Sequence, residues 1–182
     1  MIRGLHLGGT LADASLGTLK TAGWEVTKGE PGDVIATLRK WAEDPSGFLL
    51  LHGSPGVGKT HACVALLRAL LEGRWWPVYF TEAMWTGAII HEPEMFDLAI
   101  FLLDDLCSGK TAEKGYEAAD ARAAIFGLLD RRINRNLPTL VTSNLSPKRI
   151  QDEIDTRWMS RLCSGTVIRC GGADRRLKGA TG

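Results

Sequence analysis

Phe48-Leu49-Leu50-Leu51-His52-Gly53-Ser54-Pro55-Gly56-Val57-Gly58-Lys59-Thr60-His61 is the stretch that decides the architecture. Its first five residues form a short, almost wholly apolar run, the pattern of a strand buried on both faces. The spacing G-x-x-x-x-G-K-T follows at once, and it carries meaning only between a strand and a helix. A helix is predicted from Lys59 to Glu72, with Ala62, Ala65, Leu66, Ala69 and Leu70 at helical spacing and a stop at Gly73. Gly53, Gly56 and Gly58 let the backbone wrap an anion so that its N–H groups converge on it. The helix N-terminus adds a partial positive charge there. The loop Gly53, Ser54, Pro55, Gly56, Val57, Gly58, Lys59 and Thr60, with His61 directly after, is therefore expected to hold nucleotide phosphates. Lys59 would reach the β- and γ-phosphates, and the Thr60 hydroxyl would complete a Mg²⁺ shell, implying ATP and Mg²⁺ as cofactors.

Outward from this loop, glycine and proline divide the chain into alternating units. On the N-terminal side, Val34, Ile35, Leu38, Trp41 and Ala42 sit at helical spacing behind Asp33, a plausible cap. On the C-terminal side, strands are expected at 77–81, 99–103, 139–143 and 166–170. A long helix is expected from Tyr116 to Asn136, and one or two short helices after Ser146-Pro147, which read as an N-cap followed by proline at the first helical position. Glu82 to Met95 fits neither pattern, and Cys107 to Gly115 reads as a loop. Alternation of this kind predicts an α/β fold with a parallel five-stranded sheet flanked by helices.

Composition agrees with a globular chain of 182 residues, long enough for one core and short for two. No run approaches the roughly 20 apolar residues of a membrane-spanning helix, and Met1 to His6 does not resemble a secretory signal. The four cysteines form no C-x-x-C pair and no zinc spacing, so reduced thiols, a cytoplasmic location and no membrane partner are expected. Net charge is +1, but residues from Arg131 onward carry +7 and the remainder −6. Such polarity suits a head-to-tail contact or a phosphate-facing surface, and an uneven solvated surface would look the same.

Two further elements bear chemistry. Ile100-Phe101-Leu102-Leu103-Asp104-Asp105 is an apolar strand ending in paired carboxylates. Alone it would be a solvated strand end; downstream of a phosphate loop, Asp104 is placed to hold Mg²⁺ and Asp105 to orient or activate the attacking water. Thr142-Ser143-Asn144 closes the next strand, where Asn144 either bonds the attacking water or γ-phosphate or makes an Asx turn into the following helix.

Several runs together are more specific. Leu129-Asp130-Arg131-Arg132, Leu137-Pro138-Thr139-Leu140-Val141-Thr142-Ser143-Asn144-Leu145, Arg157-Trp158-Met159-Ser160-Arg161-Leu162 and Gly172-Ala173-Asp174-Arg175-Arg176 resemble the AAA+ ATPases of the DnaC-type helicase loaders. They also resemble their relatives, the IstB-type helpers of DNA transposition. The resemblance spans nearly the whole chain, since Leu11-Ala12-Asp13 is similar to the lead-in of such a core. It implies one AAA+ domain over residues 1–182, with 1–44 as lead-in and first helix. It implies Asn144 as the sensor-1 residue, and Arg161, with Arg157 next, as the arginine finger supplied to a neighbouring subunit. Arg175 or Arg176 would be a nucleotide-sensing arginine. The implied function is ATP hydrolysis coupled to loading a replicative helicase, with single-stranded DNA as a further partner and head-to-tail self-association on ATP binding.

The sequence departs from that family in two ways. Loaders usually carry an extra N-terminal helicase-binding domain, whereas about fifty residues precede the loop here. No room is left after the last strand for a C-terminal helical lid. A transposition helper, a small-molecule kinase and a nucleotide-gated binding module are the competing readings; the kinase would leave Asn144 and Arg161 without a purpose. Trp75, Trp76 and Trp85 are expected mainly to pack, with base stacking as the alternative. Lys110, Lys114, Arg131, Arg132 and Arg135 suit either a phosphate-tracking or a solvated basic face.

Overall fold

The computed structural model describes residues 13–81, 100–108 and 116–175. The expectations for 82–95, Trp85, Lys110, Lys114, Arg176 and Leu11-Ala12 fall outside these residues. In chain order the elements are β1 (Trp24–Lys28), α1 (Val34–Glu43), β2 (Phe48–His52), α2 (Lys59–Glu72), β3 (Pro77–Thr81), β4 (Ile100–Leu106), α3 (Tyr116–Asn134), β5 (Thr139–Ser143), α4 (Pro147–Glu153), α5 (Thr156–Leu162) and β6 (Thr166–Cys170). They build one sheet in the order β1-β6-β2-β5-β4-β3.

Five strands run parallel as expected, and β1 corrects the count to six. It pairs antiparallel with β6, Trp24 opposite Cys170 and Glu25 opposite Arg169, with a register shift between Val26 and Lys28. The strand escapes sequence reading because Trp24-Glu25-Val26-Thr27-Lys28 is short and polar, as an edge strand must be to avoid pairing with other chains. Its hold on β6 includes an exposed ion pair, Arg169 to Glu25 at 2.7 Å, which solvent screening keeps weak.

Strand alternation divides the core into two layers. Leu49, Leu51, Leu102, Leu140 and Ile168 face α1 and α2, where Leu38, Trp41, Ala62, Leu66 and Leu70 meet them. Phe48, Leu50, Phe101, Leu103, Val141 and Val167 face the other way, onto Ile125, Leu128, Leu129, Ile150, Trp158 and Leu162. Both faces of β2 are thus covered, which accounts for its unbroken apolar run. Each leucine so buried contributes about 1.5–3 kcal/mol. The caps form as expected: Asp33 accepts from the Ala36 N–H at 2.9 Å, and Ser146 from the Arg149 N–H at 3.3 Å, with Pro147 behind it.

Two surface expectations are corrected. Arg132 is fully buried: its Nε donates to Thr139 Oγ1 at 2.8 Å, Nη2 to the Pro138 carbonyl at 2.7 Å, and the guanidinium lies 5.3 Å from the Phe101 ring centre. It is a strut between α3 and β5, and cannot belong to a basic face. Conversely, Trp76 is 79% exposed and Trp75 40%, at the end of α2 away from the phosphate loop, so Trp76 does not pack as expected.

Candidate functional site

The glycine loop joins β2 to α2 at the C-terminal ends of the parallel strands. Gly53, Gly56 and Gly58 have φ of 150°, 76° and 107°, conformations that side-chain-bearing residues rarely adopt. At Gly53 there is also no room, since a Cβ would lie 2.1 Å from the Cys170 carbonyl oxygen. On the other side the Gly53 N–H donates to the Ser143 carbonyl at 3.2 Å, so the loop's first residue is wedged between β5 and β6. Gly58 precedes helix α2 as its N-cap and offers no side-chain bond, and the first turn holds no acid. Its leading N–H groups are therefore not taken by a cap of its own, which fits an anion cradle.

Lys59, only 6% exposed, donates to the carbonyls of Gly53 at 2.7 Å and Ser54 at 2.8 Å, and to Asn144 Oδ1 at 2.7 Å. The Asn144 amide nitrogen donates to Asp105 Oδ1 at 2.7 Å. That amide can point only one way, because flipping it would set its NH₂ against an ammonium and its oxygen against a carboxylate. Asn144 makes this bridge rather than an Asx turn. The strand order is what permits it: β5 lies between β2 and β4, so its end stands between the loop and the acids.

The acids sit on an irregularity. Leu103 pairs with Val141 and Leu106 with Ser143, three steps on β4 against two on β5, so β4 carries one extra residue. Asp105 has φ 63°, the left-handed region, which Asp and Asn tolerate better than most residues. In a regular strand Asp104 and Asp105 would point to opposite faces; this bulge re-aims the second carboxylate. Asp104 is 2% exposed, with Oδ1 accepting from the Thr142 hydroxyl and Oδ2 from Tyr79 at 3.0 Å. Thr142 Oγ1 also accepts from the Asp105 N–H at 2.8 Å.

Around this centre, the Asp174 carboxylate fills the space where a Gly56 Cβ would be, and the Arg175 N–H donates to the Gly56 carbonyl at 3.1 Å. The Arg175 guanidinium approaches Gly58 and donates to the Lys20 carbonyl. Burial lowers the pKa of His52, helped by Arg169 and Lys59, and that of His61, helped by Arg175, favouring neutral imidazoles. Thr60 and His61 lie half-buried in the first turn of α2, and Ser54 and Pro55 are exposed. Arg161 and Arg157 are not drawn into this centre. Arg161 pairs with Asp130 at 2.6 Å and Arg157 with Asp155 at 2.9 Å, and they flank the Phe126 ring at 5.6 and 5.0 Å. Arg157, together with Phe126, Ile154, Asp155 and Trp158, lines a groove of about 350 Å³.

No protein-family model matches the sequence, and no curated protein matches it either. Solved structures do match. The DnaC helicase loader superposes with a TM-score of 0.67 at 20% identity, over 90% of this chain and 100% of that one. The chain shares the fold of the DnaC helicase loader. DnaI matches with a TM-score of 0.65 at 20% identity, over 91% of this chain and 92% of that one. AMPPCP-bound DnaA from Aquifex aeolicus matches at 0.65 and 15% identity, over 91% of this chain and 52% of that one. The chain thus spans about half the length of the DnaA structures it resembles. Among the described residues, no helix is long and apolar enough to cross a membrane.

Tyr79, the Thr142 hydroxyl and Asp174 are the site residues that sequence reading did not single out. Tyr79 lies on β3, and nothing in the sequence says that β3 borders β4. Burial first, then the Asp104 carboxylate, raise the Tyr79 pKa far above the ordinary phenol value. A raised folded-state value means that this contribution to stability is intact below about pH 10 and is lost as pH rises beyond it. Stability should therefore fall above about pH 10 more steeply in the parent than in Tyr79→Phe. Urea unfolding at stepped alkaline pH checks this; parallel curves for the two proteins would refute it.

Proposed function

We propose that this chain binds and hydrolyses ATP and serves DNA replication as a helicase loader, acting on a replicative helicase and on single-stranded DNA. The observation that carries the reading is the run of hydrogen bonds from Lys59 through Asn144 to Asp105. It links a phosphate-binding cation, a polar relay and a carboxylate in the order that phosphoryl transfer to water requires. On this reading the γ-phosphate takes the place of backbone carbonyls around Lys59, Asn144 senses it, and Asp105 orients the attacking water.

Mg²⁺ would be held by Thr60 and Asp104 together with phosphate oxygens. No cluster of three or more His, Cys, Asp or Glu exists among the described residues, and Mg²⁺ needs none, since it commonly takes one or two protein ligands plus phosphate and water. Bound, the ion would neutralise charge on the phosphates. Arg175, lying against the loop, suits the nucleotide-sensing role. Likeness in fold to DnaC and DnaI supports the replication assignment, and exposed Trp76 offers a face on which a base can stack. Arg161 and Arg157, turned to Asp130 and Asp155, suit a finger offered to the nucleotide of a neighbouring head-to-tail subunit.

Asp105→Asn tests the carboxylate directly, since Asn also accepts the left-handed backbone. ATP should still bind, and hydrolysis should slow by about 10² to 10⁴; hydrolysis at the parental rate would remove Asp105 from the role. Arg161→Ala should bind ATP normally as isolated subunits but lose about 10³ in assembled ATPase rate. Mixing it with Lys59→Ala pairs an intact loop with an intact finger at some interfaces, so partial recovery is expected. No recovery in demonstrably mixed oligomers would contradict a site shared in trans.

A further inference from the structure

We propose that Thr142 is the positioning residue for both acids, its single hydroxyl fixing the Asp104 carboxylate and the Asp105 backbone together. Thr142 is 1% exposed on β5, one residue past the last regular β4 pairing, Leu103 with Val141. A hydroxyl has one proton to give and two lone pairs to offer. The Asp105 N–H, 2.8 Å away, can only donate to it, so the proton goes to Asp104 Oδ1. The directions of both bonds are thereby settled.

Each bond answers a cost that the bulge creates. Turning Asp105 to φ 63° takes its N–H out of the ladder, and an N–H left unpaired away from water destabilises the fold. The Thr142 oxygen stands in for the missing carbonyl. Asp104, almost wholly buried, needs donors on both oxygens; Thr142 serves one and Tyr79 the other. A carboxylate held at both oxygens cannot rotate, and it presents its remaining lone pairs in one direction. Partners that orient a ligand in this way are commonly worth 10–100-fold in metal affinity. Valine would fill the same space without either bond, so the hydroxyl has a purpose that packing does not supply.

The inference rests on the proposal that Asp104 helps to hold the Mg²⁺ of a bound nucleotide, and the test separates the two. Affinity for a non-hydrolysable ATP analogue is measured calorimetrically with Mg²⁺ and with EDTA, in the parent, Thr142→Ser, Thr142→Val and Asp104→Asn. The gain in affinity due to Mg²⁺ is the readout. Thr142→Ser should keep the parental gain within about twofold, while Thr142→Val should lose about tenfold or more of it, with affinity in EDTA little changed. In an Asp104→Asn background, Thr142→Val should add nothing, because it acts through Asp104. A full Mg²⁺ gain in Thr142→Val, or losses that add in the double variant, would overturn the inference and leave the nucleotide proposal standing. A parent with no Mg²⁺ gain would remove both. Thr142→Ala serves as a second hydroxyl-free variant, with folding checked by circular dichroism. If neither hydroxyl-free variant folds, the hydroxyl is a requirement of the fold and the positioning role is overturned.

Discussion

The ammonium of a buried lysine must be met by oxygen, and that of Lys59, a residue only 6% exposed, is met by Gly53, Ser54 and Asn144. Leaving such a charge buried without partners would cost several kcal/mol. The loop curls so that its own carbonyls reach the lysine, and its three glycines adopt positive φ. Strand β5 must also end beside the loop, so that Asn144 can supply the third acceptor. From that one requirement follow the wedge of Gly53 between β5 and β6 and the order of the central strands.

The same junction sets the acids. Asn144 bridges Lys59 and Asp105 only because the bulge in β4 swings Asp105 towards β5, and Thr142 beneath it takes up the bonds that the bulge breaks. Strain at Asp105, of order 1 kcal/mol or more for a left-handed non-glycine residue, is thus tolerated by a local set of hydrogen bonds. Phosphate arriving at the loop would compete for Lys59 with carbonyl oxygens, and any change there would pass to Asp105 through a single amide. On the proposed function, ligand binding and carboxylate placement would share one set of contacts.

Much of this was legible in the sequence because it rests on local rules. The all-apolar Phe48–Leu51 run, the glycine spacing and the caps at Asp33 and Ser146 each depend on near neighbours in the chain, and β2, α2, β3, β5 and β6 have the bounds expected of them. What escaped depends on residues brought together from afar. Strand β1 is polar and finds its partner only across the fold. Arg132 looks like surface until the Pro138 carbonyl and Thr139 hydroxyl are placed around it. Tyr79 meets Asp104 only once β3 is set beside β4, and no periodicity encodes a bulge of one residue. The roles proposed for Arg157 and Arg161 concern a second molecule, which one chain's folding rules do not describe.

Calorimetric titration of ATP into Lys59→Ala, at matched Mg²⁺ and with the fold verified by circular dichroism, tests the central claim most directly. If Lys59 is the cation around which the loop is built to receive phosphate, its removal forfeits charge-assisted bonds, and affinity should fall about a hundredfold or more. A folded Lys59→Ala protein that binds ATP as tightly as the parent would contradict the account.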